Sequence, residues 1–96
     1  MYGSVSRWRV KEGQQQEFEK LFGEVASQLP EGGRTLLILH ADADSQEYWT
    51  AGCFDSKEAY TANSNRPEQD DRFRRLRALL ESDPEWHDGE IPLTLP

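Results

Sequence analysis

The stretch from Glu47 to Tyr60 constrains the fold more than any other part of the chain. Residues 47–54 are rich in aromatic and small side chains, which is typical of a β-strand. A helix is predicted to follow at once, because Asp55 can cap its first free amides and Glu58, three residues later, can bond back to the cap. The sequence therefore predicts a strand that leads directly into a capped helix, an arrangement at which a pocket can form.

The residues before this stretch predict a strand, a helix and a second strand. Residues 2–10 alternate between two faces, as expected for a strand. From residue 14 the apolar period changes to that of a helix, which Pro30 ends. The apolar stripe of this helix consists of Phe18, Leu21, Phe22, Val25 and Leu29. Residues 34–41 are rich in strand-forming residues, and Thr35–Leu39 are apolar on both faces, which predicts a central strand buried on two sides.

The residues after Tyr60 predict a long helix and a final strand. Pro67 suits the first turn of a helix that begins acidic and ends basic, which complements the helix dipole. Its predicted buried stripe is Phe73, Leu76 and Leu80. Ile91–Leu95 is the predicted last strand, placed at an edge because Pro92 cannot donate a hydrogen bond to a neighbour.

This order of elements predicts a ferredoxin-like α+β fold, βαββαβ, with helices on one face of a four-stranded antiparallel sheet. The chain has 96 residues and no linker-like stretch, so we expect one domain over residues 1–96. The second face of the sheet needs a cover. A second copy stacked sheet to sheet would supply it, which predicts an isologous homodimer.

Charge and cysteine content exclude several classes of partner. The formal net charge of −7 disfavours nucleic acid and anionic membrane surfaces as partners. Cys53 is the single cysteine, so no disulfide can form within the chain and a cytoplasmic location is expected. His87 lies beside Asp88, but no second histidine or thiol is spaced to complete a metal site. We therefore expect no metal.

Three segments resemble the antibiotic biosynthesis monooxygenase (ABM) family of the dimeric α/β-barrel superfamily. They are Tyr2–Phe18, Tyr48–Tyr60 and Asp83–Glu90. The resemblance implies a pocket in each subunit between the sheet and the helices, with two sheets stacked into a barrel across a dimer. It also implies oxidation of polycyclic phenols to quinones by O₂ with no metal, flavin or other cofactor, in a site that positions the substrate and stabilises its anion.

The same resemblance indicates candidate site residues. The family's site tyrosine matches Tyr60 and its arginine matches Arg74, which we take as the candidate catalytic residues. The family's tryptophan position falls on Phe54 and its asparagine position near Thr50. Phe54, Thr50 and Trp49 are the candidate ligand-binding residues.

Two functions of different classes remain open from the sequence. The first is cofactor-independent, O₂-dependent oxidation of a small hydrophobic, aromatic or phenolic molecule. The alternative is a non-catalytic small-molecule-binding or structural dimeric module, favoured by Thr50 in place of the family's asparagine and by the absence of a recognisable constellation of nucleophile, base and orienting residue.

Overall fold

The computed structural model describes residues 1–95, apart from the side chain of residue 26. Within these residues the chain forms four strands and three helices. In chain order they are β1 (Tyr2–Arg9), α1 (Gln15–Ser27), β2 (Gly33–His40), β3 (Glu47–Phe54), α2 (Lys57–Ser64), α3 (Pro67–Arg77) and β4 (Glu85–Glu90). The spatial order of the strands is β2-β3-β1-β4, and all neighbours pair antiparallel. The ferredoxin-like prediction is confirmed.

Alternation along the two central strands decides which side chains meet the helices. In β1 the side chain of Trp8 packs edge-on against Phe18 and Phe22 of α1, with ring centroids 5.6 and 5.3 Å away. Tyr48 of β3 lies on the same face and packs against Phe18 at 4.8 Å. The predicted stripe of α1 therefore supplies the centre of the core. The buried apolar residues are Trp8, Val10, Phe18, Leu21, Phe22, Tyr48, Leu76 and Leu80.

The start of α2 differs from the prediction. Ser56, not Asp55, is the N-cap, and its hydroxyl accepts a hydrogen bond from the amide of Ala59 at 3.1 Å. Asp55 instead forms an ion pair with Arg34 on the neighbouring strand. A serine hydroxyl one residue closer to the helix reaches the free amide, so the carboxylate is left to pair across the sheet.

The prediction that the second strand is central was wrong. β2 is an edge strand, and Leu37 and Leu39 on its outer face are 60% and 51% exposed. Its other face contributes Leu36 and Ile38 to the core. A strand that is apolar on both faces can thus lie at the edge of the sheet of a single chain.

The prediction for the last strand was also wrong in position. β4 spans Glu85–Glu90 and pairs with β1, whereas residues 91–95 form no strand. The amide of Ile91 makes a last hydrogen bond to the carbonyl of Met1 at 2.9 Å. Pro92 follows, and pairing stops there because proline has no amide hydrogen. The edge position of the last strand is as predicted.

Candidate functional site

A cavity of about 570 Å³ lies between the helix-facing side of the sheet and the three helices. This volume is within the range of small-molecule sites in proteins. Its floor is formed by β1 and β3, and β4 adds side chains at one edge. The cavity therefore lies on the face of the sheet that carries the core, not on the opposite face, which no helix covers.

Small residues of the two central strands explain why no side chain fills this space. At one end of the sheet the large side chains of Trp8 and Tyr48 fill the core. Further along the same face the floor consists of Ser4, Ser6 and Gly52. A Cβ atom at Gly52 would meet only the Cδ1 of Leu36, 3.9 Å away, so the space above this glycine is open. The cavity is thus determined by residue size along β1 and β3.

Aromatic rings form much of the wall. Tyr60 of α2 packs against Phe54 at 5.4 Å and against Tyr2 at 5.3 Å between ring centroids. On the other side Trp86 of β4 packs against Trp8 at 5.3 Å and Phe73 at 5.9 Å. Flat apolar walls of this kind favour an aromatic ligand, because rings stack in offset or edge-on contact.

Three polar side chains converge at one side of the cavity. The hydroxyl of Ser4 donates a hydrogen bond to Asp88 Oδ1 at 2.6 Å, and Tyr60 donates to the same oxygen at 3.2 Å. Burial raises the pKa of Tyr60; its contact with Ser4 opposes this effect, and the negative charge of Asp88 adds to it. Tyr60 therefore stays protonated at neutral pH and acts as a neutral hydroxyl.

Thr50 is held in the floor of the cavity by a buried hydrogen bond. Its Oγ1 accepts from the indole N–H of Trp8 at 2.9 Å, and both residues are buried. A hydroxyl oxygen has two lone pairs, so Thr50 retains acceptor capacity as well as its own proton.

The structure brings together three of the five predicted site residues. Tyr60, Thr50 and Phe54 all line the cavity. Trp49 does not, because successive side chains of a strand point to opposite faces and Trp49 lies between Tyr48 and Thr50. On the outer face of the sheet its ring lies 6.0 Å from the guanidinium of Arg7.

Arg74 also lies away from the cavity. Its side chain is 78% exposed and pairs with Asp71 of the same helix at 3.5 Å. Arg72, two residues earlier, lines the cavity together with Phe73 and Leu76. Two residues correspond to about 200° of rotation around an α-helix, so Arg72 and Arg74 point in nearly opposite directions. Arg72 is thus the arginine of α3 that a cavity ligand would meet.

The residues that sequence reasoning missed are chiefly Ser4, Arg72, Trp86 and Asp88. Trp86 and Asp88 are two residues apart and therefore share one face of β4. Placing residues 85–90 in a strand would have exposed this signal. Ser4 gave no signal of its own, since its contact with Asp88 joins residues 84 positions apart.

The described residues contain neither a candidate metal site nor a helix suited to a membrane. Within residues 1–95 no three side chains of histidine, cysteine, aspartate or glutamate are grouped so that they could hold a metal ion. His87 contacts Glu85, at 3.0 Å. None of the helices in this part of the chain has the length and apolar character needed to cross a bilayer.

Fold and site together define a ferredoxin-like α+β protein with an aromatic-walled cavity between its sheet and its helices. The profile of the family described as "Antibiotic biosynthesis monooxygenase" matches residues 1–75. The chain therefore belongs to the antibiotic biosynthesis monooxygenase family, and the resemblance seen in the sequence is confirmed. No curated protein is significantly similar to the chain in sequence.

Solved structures share the whole fold. SnoaB, a cofactor-independent oxygenase from Streptomyces nogalater, superposes in its N63A mutant with a TM-score of 0.86 at 23% identity, covering 99% of this chain and 96% of that one. A candidate antibiotic biosynthesis monooxygenase from Deinococcus radiodurans gives 0.86 at 13% identity, covering 100% and 97%. A conserved protein from Methanosarcina mazei Go1 gives 0.83 at 14%, covering 92% and 89%. At these identities the likeness establishes the fold.

Proposed function

We propose that this protein is a cofactor-independent monooxygenase that oxidises a small aromatic or phenolic molecule held in the cavity. The observation that carries the proposal is the cavity itself, in which aromatic walls surround the hydroxyl of Tyr60 and the carboxylate of Asp88. Membership of the monooxygenase family and structural likeness to the cofactor-independent oxygenase SnoaB support it.

In this proposal the aromatic rings position the substrate and the polar groups act on its ionisable end. The Tyr60 hydroxyl donates its hydrogen bond to Asp88, so its oxygen can accept a hydrogen bond from a ligand hydroxyl. Arg72, in place of Arg74, supplies positive charge that favours the phenolate or enolate form of the ligand. Phe54 and Thr50 complete the walls and floor. The ligand anion itself supplies the electrons that reduce O₂.

The overall reaction balances for an anthrone-like substrate, a ring ketone with a CH₂ group between two aromatic rings. The CH₂ group becomes a carbonyl, one atom of O₂ enters the product and the other leaves as water. The two C–H hydrogens form that water. Four electrons pass from the substrate to O₂, so the protein need only bind, ionise and orient the substrate.

We also propose that the protein works as a homodimer. The face of the sheet opposite the helices carries Val5, Leu37 and Leu39, which are 46%, 60% and 51% exposed. An apolar patch on the flat face of a sheet marks an interaction surface, and a second copy of the same face is the simplest cover. Light scattering should give twice the 11.1 kDa chain mass, and Leu37→Asp should shift the protein towards the monomer. A monomer at micromolar concentration would contradict the dimer.

The activity is tested with purified protein and a panel of anthrone-like and other phenolic compounds under air. We expect protein-dependent O₂ uptake that falls at least about 10-fold in Tyr60→Phe, since a positioned hydroxyl is lost. The control is Arg74→Gln, which changes an arginine outside the cavity and should leave the rate within about 2-fold of the wild type. Undetectable turnover with every compound would refute the enzymatic proposal.

The alternative is a non-catalytic ligand-binding module, and one observation favours it. The Tyr60 hydroxyl already donates a hydrogen bond to Asp88, so the cavity can hold a neutral aromatic guest with no ionisation. The two functions separate when ligand binding and O₂ uptake are measured on the same compounds. Tight binding, seen as quenching of tryptophan fluorescence, without O₂ consumption would identify a binding module.

A further inference from the structure

Asp88 is placed at the cavity by the register of the sheet. β4 pairs with β1 so that Asp88 lies opposite Ser4, and both residues line the cavity. β4 is an edge strand, and Asp88 is exposed to solvent. Its carboxylate therefore touches the cavity and has a route by which a proton can pass to water.

The hydrogen bonds of Asp88 hold one oxygen and leave the other available. Oδ1 accepts from the hydroxyls of Ser4 and Tyr60, which come from two other elements of the fold. Within residues 1–95, Oδ2 has no hydrogen-bond partner, and no Lys, Arg or His forms an ion pair with this carboxylate. Two donors on one oxygen fix the orientation of a carboxylate.

Two other aspartates in the structure form ion pairs with arginines. Asp44 and Asp83 pair with Arg9 and Arg77, each at close distance. The hydrogen bond from Arg9 lowers the pKa of Asp44, so this carboxylate is a weaker proton acceptor. Asp88 differs in combining contact with the cavity, a fixed orientation and no paired cation within the described residues.

We propose that Asp88 is the proton acceptor of the site, removing a proton from the acidic CH₂ or hydroxyl of an anthrone-like substrate. This inference rests on the proposed function and names a catalytic residue for it. The substrate C–H or O–H bond breaks, the proton goes to Asp88 Oδ2, and the electron pair stays on the substrate as an enolate or phenolate. The proton then passes from the carboxyl group to water. Tyr60 and Ser4 keep their own protons and hold the carboxylate in place.

The test measures proton abstraction without O₂. Anthrone is incubated anaerobically in D₂O with the wild-type protein, and loss of the CH₂ proton signal is followed by NMR. We expect the protein to accelerate exchange and Asp88→Asn to lower that acceleration about 100-fold or more, the usual range for loss of a general base. Asp71→Asn is the matched control, because Asp71 lies on the outer surface of α3 and pairs with Arg74.

A second variant distinguishes loss of the base from loss of the fold. Asp88→Ala leaves space at the carboxylate, so added formate should restore part of the exchange rate in that variant and leave Asp88→Asn unchanged. Exchange in Asp88→Asn equal to the wild type, or no acceleration by the wild type, would overturn the assignment of Asp88. Exchange that depends on Asp88 without any O₂ uptake in air would support Asp88 and refute the oxygenase proposal. Uptake of O₂ that is equal in Asp88→Asn and wild type would support the oxygenase and overturn Asp88.

Discussion

The indole N–H of Trp8 donates a hydrogen bond to Thr50 Oγ1 across the two central strands, at 2.9 Å. Trp8 also packs against Phe22 of α1 and against Trp86 of β4. One side chain therefore joins the core, the floor of the cavity and its wall. Thr50 fixes the orientation of that ring, because a buried indole N–H needs an acceptor.

Thr50→Val should destabilise the fold by about 1–3 kcal/mol, since valine keeps the shape of threonine but leaves the buried indole N–H without an acceptor. Thr50→Ser keeps the acceptor and should cost about 1 kcal/mol for the lost methyl group. The free energy of unfolding, measured in urea, distinguishes the two. A Thr50→Val variant as stable as the wild type would show that the hydrogen bond contributes nothing.

Gly13 lies in the loop between β1 and α1, and Gly32 lies in the loop between α1 and β2. Alanine at these two positions can be compared directly. Both have a positive φ, +81° and +91°, so alanine at either should cost about 1 kcal/mol in backbone strain. A Cβ at Gly32 would also lie 2.6 Å from the Cβ of Ala59, whereas nothing lies within 4 Å of one at Gly13. Gly32→Ala should therefore be the more destabilising by about 1–3 kcal/mol. Thermal unfolding of the two variants measures this, and equal losses would contradict the close approach of this loop to α2.

Ser56→Ala tests the start of α2. We expect a loss of about 1 kcal/mol in unfolding free energy, because the amide of Ala59 loses its capping hydroxyl. Asp55→Ala removes an exposed ion pair with Arg34 and should cost no more than about 0.5 kcal/mol. If Asp55→Ala were the more destabilising, Asp55 would be the effective cap, as the sequence had predicted.

The alkaline stability of the protein should depend on Tyr48. Burial, and then its hydrogen bond to Glu19, raise the pKa of this fully buried tyrosine above its usual value near 10. The folded state thus holds the phenolic proton more tightly than the unfolded state. This contribution to stability is complete below pH 10 and is lost as pH rises further, by up to about 1.4 kcal/mol per pH unit.

Urea unfolding at several pH values between 8 and 11 should show a shallower decline in Tyr48→Phe than in the wild type. Tyr2→Phe is the control, because it changes a half-buried tyrosine outside the core. A decline of equal slope in Tyr48→Phe and wild type would contradict the assignment.

Periodicity in the sequence was sufficient for much of the fold. The alternation of residues 2–10 predicted β1, and the stripe of α1 predicted the helix face that packs on Trp8. Periodicity failed where the pattern of a strand does not depend on which strands lie beside it. β2 is apolar on both faces, and this pattern does not distinguish a central strand from an edge strand whose outer face is apolar. β4 is exposed throughout and is held by backbone pairing with β1, so it has little apolar alternation to detect.

The site was predictable only in the segment near Tyr60. Phe54 and Tyr60 lie close together in the chain, and the strand-to-helix junction brings them to the cavity. The choice between Arg72 and Arg74 depends on the rotational position of α3, which a family resemblance does not fix. Asp88 meets Tyr60 only through the pairing of β4 with β1, a contact between distant parts of the chain.

Insertion of one oxygen atom from O₂ into an aromatic substrate is the reaction that we propose for the cavity. The most direct measurement is mass spectrometry of the product formed from anthrone under ¹⁸O₂, with a parallel reaction in H₂¹⁸O under ordinary O₂. We predict a protein-dependent quinone whose new carbonyl carries one ¹⁸O atom from O₂ and none from water. A product labelled from water, or a yield no greater than that without protein, would contradict this reaction.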